Sequence, residues 1–231
     1  MAHALADARI DAVFSYAGRT AAPVTQPLPQ RIGGFGGILG LTTWLRDEKI
    51  THVIDATHPF AAQISHHVAT ACDALHLPLA ALQRPAWPVQ PGWTEVQSLD
   101  DAAQSLPDMP ARVFLAIGRQ NVDVFATAPQ HHYLLRLIDP PPAPLLPNCT
   151  TVIARGPFDV AGDLALLQGH RIDIVVTKNS GGSGAEAKLI AARTLGLRVI
   201  MVARPPLPLR PTFGSVAEVL HWLGHDADLG A

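Results

Sequence analysis

The sequence predicts an α/β protein of two similar halves, each a parallel sheet with helices on its faces. Three observations carry this. Short apolar runs alternate with helical patterns along the chain, the arrangement that builds parallel sheets. One run, Val53 to Ala56, stops abruptly at Thr57, His58 and Pro59 before a helical pattern begins. The same design returns at Ile174 to Val176, which ends in Thr177-Lys178-Asn179-Ser180-Gly181-Gly182 ahead of a helical run from Ala185 to Leu195. Thr57 and Thr177 stand 120 positions apart, and that offset also pairs Pro27 with Pro147, Gly36 with Gly156, Ala71 with Ala191, and Arg84-Pro85 with Arg204-Pro205. These identities fall on turns, strand ends and helix faces in the same order, so the halves are read as repeats.

Taken in order, Met1 to Ala8 is a helix and Ala12 to Tyr16 a strand running into Ala17-Gly18-Arg19-Thr20. A proline-marked loop follows. Arg31 to Gly37 opens a helix reaching about Lys49, with Leu39, Leu41, Trp44 and Leu45 on its buried side. After the Val53 strand, Pro59 suits the first helical position, where a missing N–H costs nothing, and the helix runs to His76. Leu79 to Leu82 is a strand, and the prolines of Gln83 to Trp93 mark the passage between halves. The domains are therefore set at residues 1–92 and 93–231. The second half reads as helix Leu99–Leu106, strand Val113–Ile117, turn Gly118-Arg119-Gln120, short helix Asn121–Ala128 and strand Tyr133–Ile138. A proline-rich loop, Arg155-Gly156-Pro157-Phe158, the helix Asp159–Gln168, the Ile174 strand and its helix, the strand Val199–Val202 and the helix Val216–Leu223 complete it.

Bulk properties narrow the function. With 231 residues and 48% hydrophobic content the chain buries real cores, and 17 basic against 19 acidic residues point to neither nucleic acid nor an acidic membrane. Cys72 and Cys149 fit no metal or redox spacing and read as thiols of a reducing compartment, the cytoplasm. The adjacent pairs His66-His67 and His131-His132 lack metal-ligand spacing. No Gly-x-Ser-x-Gly elbow or Walker loop appears.

The chemistry sits at strand ends. Turns there are where open α/β sheets bind ligands. Gly33, Gly34, Phe35 and Gly36 lead into a helix and qualify as a phosphate-receiving turn, although composition alone does not separate that role from tight packing. Arg19 follows the second strand position, where an arginine favours the extra phosphate of NADP. Lys178, Asn179, Ser180 and Gly181, with Arg119, Gln120 and Lys188 at the same sheet edge, suit carboxylates or phosphates.

These motifs together resemble the precorrin-6A reductase family of cobalamin biosynthesis: Ser15 to Thr20, Arg31 to Gly37, Asp55 to Ala61, Ile117 to Gln120, Arg155 to Phe158 and Thr177 to Gly182, in a match from near Met1 to about Leu223. The resemblance implies NADPH-dependent reduction of one ring double bond of precorrin-6A to give precorrin-6B, without metal or flavin. The fold class is then α/β, two similar Rossmann-like parallel-sheet halves with the active site in the crevice between them. The first half is expected to bind NADPH, with Arg19 at the 2′-phosphate and Ala17, Gly18, Gly33, Gly34, Phe35, Gly36, Thr57, His58 and Pro59 beside the cofactor. Arg119, Gln120, Lys178, Asn179, Ser180, Gly181 and Lys188 would hold substrate carboxylates, and the proton would come from His58 as candidate donor or from water. Further partners would be neighbouring pathway enzymes in transient contact. Two alternatives stand beside this reading. A different NADP-dependent Rossmann oxidoreductase of the short-chain type would show a Tyr-x-x-x-Lys pair, absent here. A non-catalytic tetrapyrrole carrier would use the cations but not Arg19. The 120-residue offset sets Asn121 opposite Met1, so counterparts of the Val113 strand and Gly118 turn fall upstream of residue 1. The resemblance implies the same, since the family usually begins with an apolar strand and a Gly-Gly-Thr turn, and the expectation is either that this start is internal to the natural reading frame or that the first half is impaired, with lower stability and weaker NADPH affinity.

Overall fold

The computed structural model describes residues 1–18 and 24–228. From the N-terminus the chain forms α1 (Ala2–Asp7), β1 (Phe14–Tyr16), β2 (Gln30–Ile32), α2 (Gly37–Asp47), β3 (Val53–Asp55), α3 (Ala62–Leu75) and β4 (Leu79–Leu82). It continues through β5 (Thr94–Val96), α4 (Leu99–Gln104), β6 (Arg112–Ala116), β7 (His132–Leu137), β8 (Cys149–Ile153), α5 (Val160–Gly169), β9 (Ile174–Lys178), α6 (Ala187–Thr194) and β10 (Arg198–Val202). The last elements are β11 (Thr212–Phe213) and α7 (Val216–Asp228).

Two compact units result. Unit 1 comprises Met1–Arg84 and the segment from Pro206 onward; unit 2 is Pro85–Pro205. Unit 2 holds a six-stranded sheet in the order β5-β10-β9-β6-β7-β8, every pair parallel. Its central strands are apolar on both faces, with Val113, Phe114, Leu134, Leu135, Val175 and Val176 all at most 1% exposed, as a parallel sheet covered on both sides requires. Unit 1 holds two parallel sheets, β1-β2 and β11-β4-β3. Helices α2 and α3 pack Leu41, Leu45, Val68 and Ala71 together, with Val53 and Leu79 of β3 and β4 against them.

The repeat is visible in these elements. Shifting β1, β2, β3 and β4 by 120 residues lands them on β7, β8, β9 and β10. Read from its far edge, unit 2 follows the doubly wound order 3-2-1-4-5-6, with β8, β7, β6, β9 and β10 as the first five positions. Its sixth position is filled by β5, which precedes β6 in the chain, while β11 takes the equivalent place beside β4 in unit 1.

That exchange of edge strands corrects the expected boundary between residues 92 and 93. The C-terminal segment joins unit 1 because β11 pairs with β4, and Trp87 lies in the core of unit 2, so the division falls after Arg84. Three further expectations change. Helix α3 begins at Ala62, leaving Pro59 in a preceding turn instead of at the first helical position. Leu39 is 83% exposed, since it projects from the side of α2 opposite Leu41 and Leu45. Asp123–Thr127 is a 3-10 turn, and β2, β5, β8 and β11 occupy stretches read as loop.

Candidate active site

In unit 1 the turns after β1 and β2 adjoin. Gly33 donates its N–H to the Tyr16 carbonyl at 2.9 Å. A Cβ on Gly18 would stand 3.4 Å from the Gly33 Cα, and Gly18 has φ +73. Arg31, a residue the sequence reading did not single out, organises the glycine turn. Its Nη1 and Nη2 donate to the carbonyls of Gly33 and Gly34, each at 2.6 Å, and its guanidinium lies 3.7 Å from the Phe35 ring centre. Gly36 and Gly37 turn the chain into α2 with φ of 78 and 86, and hypothetical Cβ atoms at Gly33, Gly34, Gly36 and Gly37 would meet nothing within 4 Å. An open glycine turn at the N-terminus of an 11-residue helix with no acidic residue in its first turn fits the phosphates of a dinucleotide. Phe35 is placed differently from the expectation. Its ring packs 5.3 Å from Trp44 and joins the α2–α3 core, so it is anchorage for the turn. Arg19 lies outside the described residues.

Strand β3 ends at buried Asp55, which builds the next turn. Its Oδ1 accepts the Thr57 N–H at 3.1 Å and the Thr57 hydroxyl at 2.6 Å, while Oδ2 accepts Ser65 Oγ at 2.6 Å and Arg210 Nη2 at 2.6 Å. Thr57 and His58 are exposed and Pro59 is buried. The Phe60 N–H donates to His58 Nδ1 at 3.2 Å, which puts the neutral ring's proton on Nε2. A groove of about 510 Å³ on the same unit is lined by His66, Thr70, Cys72, Asp73, Leu209 and Arg210. Burial and the Asp55 carboxylate push the Cys72 thiol up to about 11, which keeps it protonated and inert.

In unit 2 the chain order reverses between β6 and β9, and ligands bind at such points. Ala116 of β6 is in register with Thr177 of β9, so the turn carrying exposed Arg119 and Gln120 and the turn starting at Lys178 share one sheet edge. Lys178 is half-buried, and burial pulls its ammonium below the ordinary lysine range. Asn179 is a correction. Its side chain is 5% exposed in a two-point bond with one backbone residue: Oδ1 accepts the Trp87 N–H at 2.8 Å and Nδ2 donates to the Trp87 carbonyl at 2.9 Å. The Trp87 indole donates to the Gly182 carbonyl at 2.9 Å. Arg204 bonds the carbonyls of Asn179 and Ser180 at 2.9 and 3.2 Å. Gly181 is obligatory in this clamp, because with φ +68 its Cβ would lie 2.1 Å from the Pro85 carbonyl oxygen. Lys188 is likewise relocated. It is 3% exposed, donates to the Ala185 carbonyl and sits 4.5 Å from the Trp87 ring centre, beneath the turn it was expected to arm.

The sequence reading therefore found the turns but missed what holds them, namely Arg31, Asp55, Trp87, Arg204 and Arg210. The Arg84-Pro85 and Arg204-Pro205 repeat was the one signal for Arg204. Arg210 meets Asp55 across 155 positions, which no local pattern reveals.

A parallel sheet in the doubly wound order, with cations at its switch point, and a glycine turn opening a helix in the companion unit define the class as a Rossmann-like α/β protein. The family model described as Precorrin-6x reductase CbiJ/CobK matches residues 1–224, and the chain belongs to that family of oxidoreductases. A precorrin-6A reductase from Rhodobacter capsulatus is 56% identical over all of this chain and 92% of its own length. One from Rhodococcus erythropolis is 48% identical over 97% of this chain and 92% of its own length. A solved structure of a CobK precorrin-6A reductase superposes with a TM-score of 0.93 at 56% identity, covering 100% of this chain and 92% of that one.

Proposed function

We propose that this reductase of cobalamin biosynthesis uses NADPH to reduce one ring double bond of precorrin-6A, giving precorrin-6B. The observation that carries the reading is the open Gly33 to Gly37 turn on α2, held by Arg31, in a chain of this family. NADPH supplies the hydride. In unit 1 the glycine turn would receive its pyrophosphate, Ala17 and Gly18 would line its ribose, and Arg19, next in sequence, would pair with the 2′-phosphate. Thr57 and His58 would lie beside the cofactor. The ring carbon next to the one that takes the hydride takes a proton, for which His58 is the candidate donor once its ring is charged, with water as the other source.

In unit 2 the substrate carboxylates are held by Arg119, Gln120, Lys178 and Ser180. Asn179, Gly181 and Lys188 shape and support that turn. A substrate carboxylate would favour the charged form of Lys178 against the desolvation that burial imposes on it. The reading includes a cytoplasmic location and transient hand-over contacts with neighbouring pathway enzymes. No helix among the described residues is long and apolar enough to cross a membrane.

Two variants test the assignment. Arg19→Ala should remove the preference for NADPH over NADH, worth about tenfold or more for a paired phosphate. Lys178→Ala should raise KM for the tetrapyrrole by about tenfold with NADPH affinity unchanged. A parental cofactor preference in the first variant, or a loss confined to NADPH binding in the second, overturns the respective role.

A further inference from the structure

Asp55 and Arg210 form a buried ion pair in unit 1, with side chains 2% and 3% exposed and 2.6 Å between Oδ2 and Nη2. We propose that this pair is a positioning device for the Thr57–His58 turn. Arg210, delivered by the segment that leads into β11, fixes the Asp55 carboxylate, and the carboxylate fixes the hydrogen-bonding state of Thr57. The inference rests on the reading of that turn as part of the cofactor site.

The local chemistry is fully specified. Both Asp55 oxygens are occupied, Oδ1 by the N–H and hydroxyl of Thr57 and Oδ2 by Ser65 and Arg210. Arg210 is itself held, its Nη1 donating to the Pro208 carbonyl at 3.2 Å, while its buried Nε has no hydrogen-bond partner among the described residues. A threonine hydroxyl has one proton. Because that proton goes to Asp55, the exposed Thr57 oxygen faces a ligand as an acceptor. It therefore suits a donor, an amide N–H or a ribose hydroxyl, and repels a phosphate oxygen.

The repeat supplies an internal control. At the 120-residue offset Thr57 corresponds to Thr177, but Asp55 corresponds to Val175, Ser65 to Ala185 and Arg210 to Gln90. Unit 2 builds the corresponding strand with apolar Val175 at 0% exposure in place of the carboxylate, and there Thr177 lies inside β9 at 1% exposure instead of in an exposed turn. The strand therefore does not require a charge, and the carboxylate goes with the exposed turn. A buried pair is also a poor route to stability, since apolar residues of similar size serve as well or better. Its presence in the one unit whose turn faces the cofactor is explained by orientation of Thr57.

The test measures the Kd for NADPH, by quenching of intrinsic fluorescence, and the melting temperature for Thr57→Val, Arg210→Lys and the double variant Asp55→Leu/Arg210→Met. The double variant replaces both charges together and, compared in a Ser65→Ala background so that no buried hydroxyl is stranded, should melt close to that background yet bind NADPH about tenfold more weakly, a split that a purely structural pair would not produce. Thr57→Val should show a similar loss. The NADPH-to-NADH preference should stay parental in both, because the turn does not touch the 2′-phosphate. Arg210→Lys, which keeps the charge but loses the planar fork, should weaken binding severalfold and decides the matter if the double variant does not fold. Parental Kd in the double variant and in Arg210→Lys, alongside a weakened Thr57→Val, overturns the positioning role and leaves the cofactor turn standing. Parental Kd in Thr57→Val overturns the reading of the turn and the inference together.

Discussion

Buried polar side chains in this protein divide by what happens to their last hydrogen-bonding group. Asn179 spends its whole amide on Trp87, whereas His131, 0% exposed, accepts the Ala111 N–H at 3.1 Å through Nδ1 and leaves Nε2 without a partner among the described residues. Burial lowers the His131 pKa from its ordinary 6.5, because charging the ring there has no solvent to support it. The folded pKa lies below the unfolded one, so the unfolded chain binds more protons as pH falls through 6.5. Stability from this group is complete above that pH and is lost below it. Urea unfolding from about pH 5 to 8 should therefore show a decline on the acid side that His131→Asn flattens, since Asn keeps an acceptor for Ala111 but does not titrate. An unchanged acid limb would assign the decline to carboxylates. None of this was legible in the sequence, where His131-His132 is simply a pair of histidines. Thr57, His58 and Arg119 were legible because a strand end announces them, while Lys188 and Asn179 misled because residue type and spacing carry no information about burial.

At the scale of elements, legibility followed length and period. Helix α2, the body of α3 and the apolar strands β6, β9 and β10 stand where the sequence pattern put them, because burial on one stripe or on both faces leaves a periodic trace. Strands β2, β5 and β11 have three, three and two residues beside prolines, too few to show any period. Their partners decide them. The turn from Asn179 to Gly182 behaves as an element in its own right, riveted to Pro85–Trp87 by the Asn179 amide, the Trp87 indole and a Gly182 N–H to Pro85 bond of 3.3 Å. Asn179→Ala strands two buried backbone groups of Trp87, each costing about 1–3 kcal/mol, so a loss of about 2–4 kcal/mol is expected. Denaturant melts followed by tryptophan emission should show the lower midpoint together with a red shift as Trp87 gains water. A variant with parental stability and emission would mean that Arg204 and the indole hold the turn unaided.

Over the whole molecule, the two units are one design built to different degrees. Unit 2 fills all six positions of the 3-2-1-4-5-6 order, with β6 between β7 and β9. In unit 1, β1 and β3 take the places of β7 and β9, but no strand of the described residues pairs with the edges that β6 serves in unit 2, and the sheet is in two pieces. The alternation of a strand identifies the amides concerned. Val53 bonds toward β4 through Pro78, and Phe14 toward β2 through Pro29, so the N–H groups of Ile54 and Ser15 point to the other edge of their strands. The amides that occupy these directions in unit 2, Ile174 and Leu134, lie in ladders with β6, paired with Val113 and Phe114, since His132 bonds toward β6 through Ala111 and Tyr133 toward β8 through Asn148. Native-state hydrogen exchange should therefore find Ile54 and Ser15 at least about tenfold less protected than Ile174 and Leu134, with unit 1 opening at lower denaturant than unit 2. Equal protection at Ile54 and Ile174 would show that the edge is covered in solution, and a concentration dependence of that protection would identify a second copy of the chain as the cover. The asymmetry has a functional side, because Thr57 and His58 follow directly from β3, so the edge expected to exchange fastest among the described strands adjoins the turn that bonds to Asp55 and, through it, to Arg210.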